Sequence, residues 1–398
     1  MDWDTLYCPN RMCRCYGIPF RHSALIKNGA SRGHKQALCH ACGRSVFLRY
    51  GTAYFELEAD PLLFETAIRA LAEGNSLRST ARIVQIDKDT ACAWLDRAAQ
   101  HCRHVMLYFW HGLPVTECQL DELWSFVHTK EGNLPGAKQW CVTYGDAWVW
   151  LAFAPACRLV VAFVVGERTQ QSAKVLLERV VHVTDDTIPF FTSDQLPEYR
   201  TALLHAYGQW HQPERRGRRG PYPKQRRVPH PGLLYAQVVK QRDRGRVVAV
   251  THKVVFGETA IVTARLAASS TSAAINTSFV ERENLTLRQQ NRRLTRKTNG
   301  FSKELSWLER QLWVSLAYYH FVLPHASLRR QLVEPEPTRG DGSARRWCAV
   351  TPAMAARLTD HVWSTSELLS YRVPAAFLDR MPEMEQLFPS FDLSHQGY

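Results

Sequence analysis

The sequence has no uninterrupted apolar run long enough to cross a bilayer. Its longest apolar-looking stretch, Trp148 to Val165, carries Pro155 and Arg158 at its middle. An apolar signal core is missing near the start, where Asp2 and Asp4 stand instead. A paired cysteine framework is missing too. The 11 cysteines are an odd number, and Cys141 and Cys157 are isolated among apolar residues. That pattern argues against a secreted disulfide scaffold and makes a reducing cytoplasm the expected compartment. The composition also lacks the polar bias of disorder: hydrophobic residues make up 45% and charged residues 22%.

What is present begins with size and charge. At 398 residues the chain exceeds what one core usually fills, so two or more domains are expected. The formal net charge of +13 makes a polyanion the first partner to consider. The charge is uneven. Residues 195–300 carry +14, residues 1–59 carry +4, and residues 115–194 carry −4. Carboxylates that hold cations beside a surface that holds phosphates would give this pattern; so would a solvated basic loop.

The head carries Cys8, Cys13, Cys39 and Cys42, the last two as Cys-His-Ala-Cys-Gly. A CxxC-Gly knuckle lets backbone N–H groups point at thiolates that share one metal. Two such pairs complete a tetrahedral four-thiolate site of the zinc-ribbon kind. Structural Zn2+ would then supply folding energy that a segment this small cannot bury. Cys15, His34 and His40 stay open as substitute ligands.

Asp60-Pro61 predicts a helix start, with Leu63, Phe64, Ala67, Ile68 and Leu71 on one face. Gly74-Asn75 stops it, Ser76 caps a short second helix, and Asp87 to Asp89 opens a third. Short helix, tight turn and longer helix is the helix-turn-helix pattern, with Lys88 and Arg97 as candidate DNA contacts; an ordinary helical linker is the alternative.

From Pro114 the pattern turns to strands. Val115 to Val127, Gln139 to Tyr144, Trp148 to Phe153 and Leu159 to Val165 are predicted strands. A helix through Val181 and a buried strand Ile188–Ser193, ending at Asp194, follow. This is the ribonuclease-H-like order, which sets Asp121 and Asp194 side by side. A later helix, beginning near Asn276, offers Glu281, with Leu285 and Arg288 on the same face. Clustered carboxylates repel unless a cation neutralises them, so Asp121, Asp194 and Glu281 imply Mg2+ or Mn2+, two ions per site. Glu122, Asp185, Asp186 and Glu283 compete for these roles. Between Asp194 and Glu281, Arg215, Arg216, Arg218, Arg219, Arg226 and Arg227 form a basic run, and a β-hairpin is expected from Arg246–Val250 to Ala260–Ala264.

Ordered motifs then carry a resemblance: Leu120-Asp-Glu-Leu-Trp-Ser-Phe-Val127, Gly166-Glu-Arg-Thr169, Thr192-Ser-Asp194, Phe279-Val-Glu-Arg-Glu-Asn-Leu-Thr-Leu-Arg-Gln289 and Leu294–Lys303. The chain resembles the transposases of the insertion sequence 1 family, DDE group, in their single-reading-frame branch. That branch is also similar over the tail Thr351–Trp363. The resemblance implies a zinc ribbon, a helix-turn-helix and a catalytic Asp121–Asp194–Glu281 triad. It also implies an Arg288 that contacts DNA phosphate, and a nucleoid-associated prokaryotic protein. About 86 residues separate Asp194 from Glu281, more than in compact members, so an insertion is expected there.

The resulting expectation is a multidomain α/β chain. Residues 1–59 form a zinc ribbon and 60–114 a helix-turn-helix. Residues 115–330 form a ribonuclease-H-like mixed sheet with a basic insertion at about 195–274, and 331–398 a linker and helical tail. The expected activity is metal-dependent cleavage of terminal inverted repeats and strand transfer into target double-stranded DNA, by a homodimer or larger assembly. Arg292, Arg293, Arg296 and Lys297 add phosphate contacts. A catalytically silent DNA-binding regulator and a structure-specific nuclease are the alternatives.

Overall fold

The computed structural model describes residues 2–134, 144–215, 222–338 and 342–389. Its head is a small antiparallel sheet of β1 (Leu25–Ser31), β2 (His34–Cys39) and β3 (Ser45–Phe47), in that order. The head has its own core of Leu6, Leu25, Ala37, Val46 and four buried cysteines. So little apolar surface cannot offset the chain entropy of about 50 ordered residues.

Three helices follow, each set by a cap. Asp60 accepts from the Leu62 N–H ahead of α1 (Pro61–Ala72), with Pro61 in the first turn. Ser76 accepts from the Ser79 N–H at 3.1 Å ahead of α2 (Leu77–Val84). Asp87 accepts from the Asp89 N–H at 2.7 Å ahead of α3 (Lys88–Phe109). Phe64 stands edge-on to both Tyr54 and Trp94, with centroids 5.7 and 5.5 Å away.

The central sheet begins with an antiparallel meander: β4 (Glu117–Val127), β5 (Gly145–Ala154) and β6 (Leu159–Gly166). Helix α4 (Gln170–Val183), capped by Thr169, then crosses to β7 (Phe190–Ser193), which runs parallel to β4. After α5 (Pro197–Tyr207) comes a two-stranded ribbon, β8 (Gly208–His211) and β9 (Arg226–Pro229). Strand β10 (Leu234–Asp243) returns parallel to β7, and β11 (Arg246–Phe256) closes the edge antiparallel to it. The six strands lie in the order β11-β10-β7-β4-β5-β6. The expected strand Gln139–Tyr144 falls outside the described residues up to residue 143.

Two readings of the 195–274 stretch are corrected. Arg246–Val250 does not pair with Ala260–Ala264. The hairpin joins β10 to β11 through Arg244 (φ 46°) and Gly245 (φ 81°), two consecutive left-handed residues that match the twist of a two-residue turn. Ala260–Ala264 instead lies in helix α6 (Thr259–Ala267), which buries Val262 against Phe190 and Ala236. The stretch is also not wholly an insertion, because β10 and β11 are members of the central sheet.

Helix α7 (Ser278–Gln290) crosses one face of the sheet, followed by α8 (Leu305–Phe321). Leu308, Gln311, Leu312 and Ser315 of α8 are buried, as their spacing requires. Leu285 is not a packing residue: it is 57% exposed, and Val280 and Leu287 hold α7 to the core instead. Residues expected as a linker form a second ribbon, β12 (Arg330–Glu336) with β13 (Arg345–Cys348). Four short helices end the described chain: α9 (Pro352–Ala355), α10 (Thr365–Ser370), α11 (Ala375–Asp379) and α12 (Met381–Met384). One continuous core runs from Ala53 to Phe388, so α1–α3, the sheet and the tail share buried surface. The tail also grips the head. Arg372 donates to the Tyr50 carbonyl at 2.8 Å, the Leu48 carbonyl at 2.7 Å and the Asp2 carbonyl at 3.3 Å.

Candidate functional site

In the head, Cys8, Cys13, Cys39 and Cys42 bring their sulfurs together within 4.8 Å of one another. Cys8 Sγ lies 3.7 Å from Cys42 Sγ, and Cys13 Sγ lies 3.7 Å from Cys39 Sγ. A tetrahedral ion with metal–sulfur bonds of about 2.3 Å requires sulfurs about 3.8 Å apart. The cluster therefore fits a metal such as zinc. Gly43 (φ 72°) makes the knuckle turn, its N–H reaching the Cys39 carbonyl at 2.7 Å. The Arg44 N–H next along the chain lowers the Cys42 thiol to about 6, which favours the ligating thiolate. Cys15, His34 and His40 stand outside the cluster.

The second cluster is acidic and lies in the central sheet. Gln119 on β4 pairs with Thr192 on β7, so Asp194, just past the end of β7, comes level with Asp121. Asp121, Glu122 and Asp194 each offer a carboxylate oxygen, and these lie within 4.8 Å of one another. Asp194 accepts from the Leu196 N–H at 3.0 Å, which fixes the loop into α5. Asp121 accepts from the Glu122 N–H at 2.9 Å and from the Asn284 side chain of α7 at 2.7 Å. Burial, and then the neighbouring Glu122, raise Asp121 to about 7. Burial and Asp194 also raise Glu122, while Arg168 opposes them through an ion pair, and the Tyr199 hydroxyl donates to Glu122 at 3.1 Å. Three carboxylates held this close, with two already resisting ionisation, suit a divalent cation.

Glu281 is not among these three. Its Oε1 is ion-paired with Lys240 of β10 and accepts from the Thr277 hydroxyl at 2.8 Å. It shares the sheet-facing side of α7 with Asn284, which is the α7 residue that touches Asp121. Glu283, a competitor for the same role, is buried on the far side and raised to about 8 by that burial. Asp185 caps a turn, accepting from the Thr187 N–H, and Asp186 stands outside the acidic cluster. His320, fully buried, accepts from the Val160 N–H at 3.1 Å and serves the sheet.

Lys88, Arg292, Arg293 and Lys297 line one groove of about 660 Å3, together with Arg78, Arg82 and Lys303. Among the described residues, no carboxylate lines it. Gly74 (φ 88°) makes this juxtaposition possible: a Cβ there would fall 2.2 Å from the Gln289 carbonyl oxygen, so the end of α1 meets the end of α7 only through glycine. Arg296 lines a neighbouring hollow with Arg282 and Arg288. Arg97 and Arg288 are already engaged. Arg97 donates to the Phe55 carbonyl. Arg288 donates to the Leu294 carbonyl at 2.7 Å and the Trp124 carbonyl at 3.1 Å, bracing α7 against β4. On the β8–β9 ribbon, Arg226 is exposed and Arg227 lies over Trp210 at 5.3 Å. Arg215 sits 4.6 Å over the Tyr222 ring, and Arg216, Arg218 and Arg219 lie outside the described residues.

The sequence offers Glu122 only as a competitor of Asp121, and it does not single out Arg168, Tyr199, Asn284 or Lys240. Glu122, Arg168 and Asn284 lie within the motifs that carry the resemblance, whereas Tyr199 and Lys240 do not. No family model and no curated protein matches the chain.

Proposed function

We propose that this chain is a DNA transposase that binds the terminal inverted repeats of its own element, cleaves them with a divalent cation and joins the freed 3′-hydroxyl to target DNA. The observation that carries this reading is the acidic cluster: Asp121 on β4 and Asp194, just past the end of the parallel neighbour β7, meet with Glu122 within 4.8 Å. Its place supports a ribonuclease-H-like catalytic unit, since a meander followed by parallel returns gives that fold's strand order.

Asp121, Asp194 and Glu122 or Glu281 would hold Mg2+ or Mn2+, which would supply charge that activates water and stabilises the leaving oxygen. Asn284 orients Asp121, and Arg168 with Tyr199 orients Glu122. The four-cysteine head, as a zinc ribbon, and α1–α3, as a helix-turn-helix, would hold the DNA end, with the basic groove taking its backbone. Two ends must be held together for strand transfer, so a dimer or larger assembly on DNA belongs to the reading.

The test uses the full chain with duplexes ending in the element's own termini. Asp194→Ala should abolish Mg2+-dependent nicking and leave end binding in a gel shift unchanged. Cleavage that survives the substitution removes Asp194 from the chemistry. Binding without cleavage by the unmodified protein favours a DNA-binding regulator.

A further inference from the structure

Among the described residues, one face of the central sheet is only half covered. Leu120, Glu122, Trp124 and Phe126 alternate onto the same side of β4. Opposite them on β5 stand Ala152, Trp150, Trp148 and Asp146. Helix α5 covers the first half, where Trp150 is fully buried and stands edge-on to Tyr199, 5.6 Å between centroids. Beyond Glu122 no described helix covers the face, and Trp148, Trp124 and Phe126 are only half-buried among the described residues.

The rings continue as a row. Trp124 lies 5.8 Å from Phe126, and Phe126 lies 5.0 Å from Phe301. Phe301 is held beside the end of β4 because the His128 N–H donates to the Ser302 carbonyl at 2.8 Å. A cation stands over each ring. Arg168 lies 4.8 Å over Trp148, Lys130 5.6 Å over Trp124 and 5.9 Å over Phe126, and Lys303 4.4 Å over Phe301. The row starts at the acidic cluster, through Arg168 and Glu122. It ends in the basic groove, which Phe301 and Lys303 also line.

A buried core has no use for lysines over its rings, and a phosphate site alone has no use for four aromatic faces. Together they suit a strand whose bases are unpaired: π-faces stack with any base, and the cations follow its phosphates. The geometry points to Trp148, Trp124, Phe126 and Phe301 as a stacking track for unpaired nucleotides of DNA, leading from the basic groove to the acidic cluster. This rests on the nucleic-acid reading above and adds to it that the strand at the site is single, not paired.

The test compares a blunt duplex with the same duplex carrying a short unpaired extension, using the full chain without divalent cation. The extension should tighten binding on the order of tenfold. A Trp124→Leu, Phe126→Leu double variant should lose that gain and keep its affinity for blunt duplex, while Trp124→Phe should retain it. A 2-aminopurine in the extension should be quenched on binding by the unmodified chain, which reports stacking even where a variant folds poorly. No gain from the extension, or an unquenched 2-aminopurine, overturns the track and leaves duplex binding standing. Failure to bind either DNA overturns the nucleic-acid reading itself.

Discussion

The Asn284 side chain donates to Asp121 Oδ2 at 2.7 Å, tying the helix that carries Glu281 to the strand that carries the acidic cluster. Asp121 is nonetheless raised to about 7, because burial and Glu122 outweigh the hydrogen bonds. The native state then binds a proton between about pH 4 and 7 that the unfolded chain has released. Stability in the absence of metal should therefore fall as pH rises through that window and level off above it. Asp121→Asn should flatten this fall, raise the melting temperature of the metal-free chain at pH 7.5 and weaken Mn2+ binding. A thermal melt series from pH 4.5 to 8 with chelator present checks the first, and calorimetry the last.

Lys240 holds Glu281 in an ion pair that is partly open to solvent. Such pairs are worth about 0.2–1 kcal/mol, so a divalent cation can displace the ammonium. If Glu281 joins Asp121 and Asp194 around the cation, Lys240→Met should tighten Mn2+ binding by up to about fivefold. An unchanged Mn2+ affinity, read by calorimetry, would remove Glu281 from the site and leave the role to Glu122.

The head and the body have separate cores, joined through Arg372 and through Asp379, which accepts from Arg11 and Tyr16. Cys39→Ser, or a strong chelator, should release one bound metal ion per chain and unfold the head, while most of the helical circular dichroism persists. Limited proteolysis should then cut within residues 2–50 first. Intact protection after complete metal removal would argue against a metal-dependent fold.

The groove lined by Arg78, Arg82, Lys88 and Lys297 should act through phosphate charge. Arg82→Gln with Lys297→Gln should weaken DNA binding and reduce the log–log salt slope by about 0.9 for each phosphate no longer neutralised. Weaker binding with an unchanged slope would mean that these residues support the fold and not the phosphates.

Much of the fold is legible in the amino-acid sequence wherever local chemistry decides. Asp60-Pro61, Ser76 and Asp87 announce their helices because caps act within one turn. Asp121 and Asp194 are legible because each ends or interrupts an apolar strand. The hairpin is not, because Ala260–Ala264 has the β-branched look of a strand, while the turn that decides the matter, at Arg244-Gly245, sits among charges. Glu122 is legible only as a competitor. Strict alternation sends it to the opposite face from Asp121, yet one oxygen of each, and of Asp194, lies within 4.8 Å of the others. Lys240 and Asn284 depend on which strands and helices become neighbours, a tertiary outcome that no local pattern carries.

The most direct measurement is single-strand nicking of a duplex bearing the element's own terminus, by the purified full chain, with Mg2+ and with chelator. The account predicts a nick at the element's end that leaves a 3′-hydroxyl, needs the cation and disappears in Asp121→Asn. End binding with no nick under any divalent cation, or a nick that persists with chelator, would contradict it.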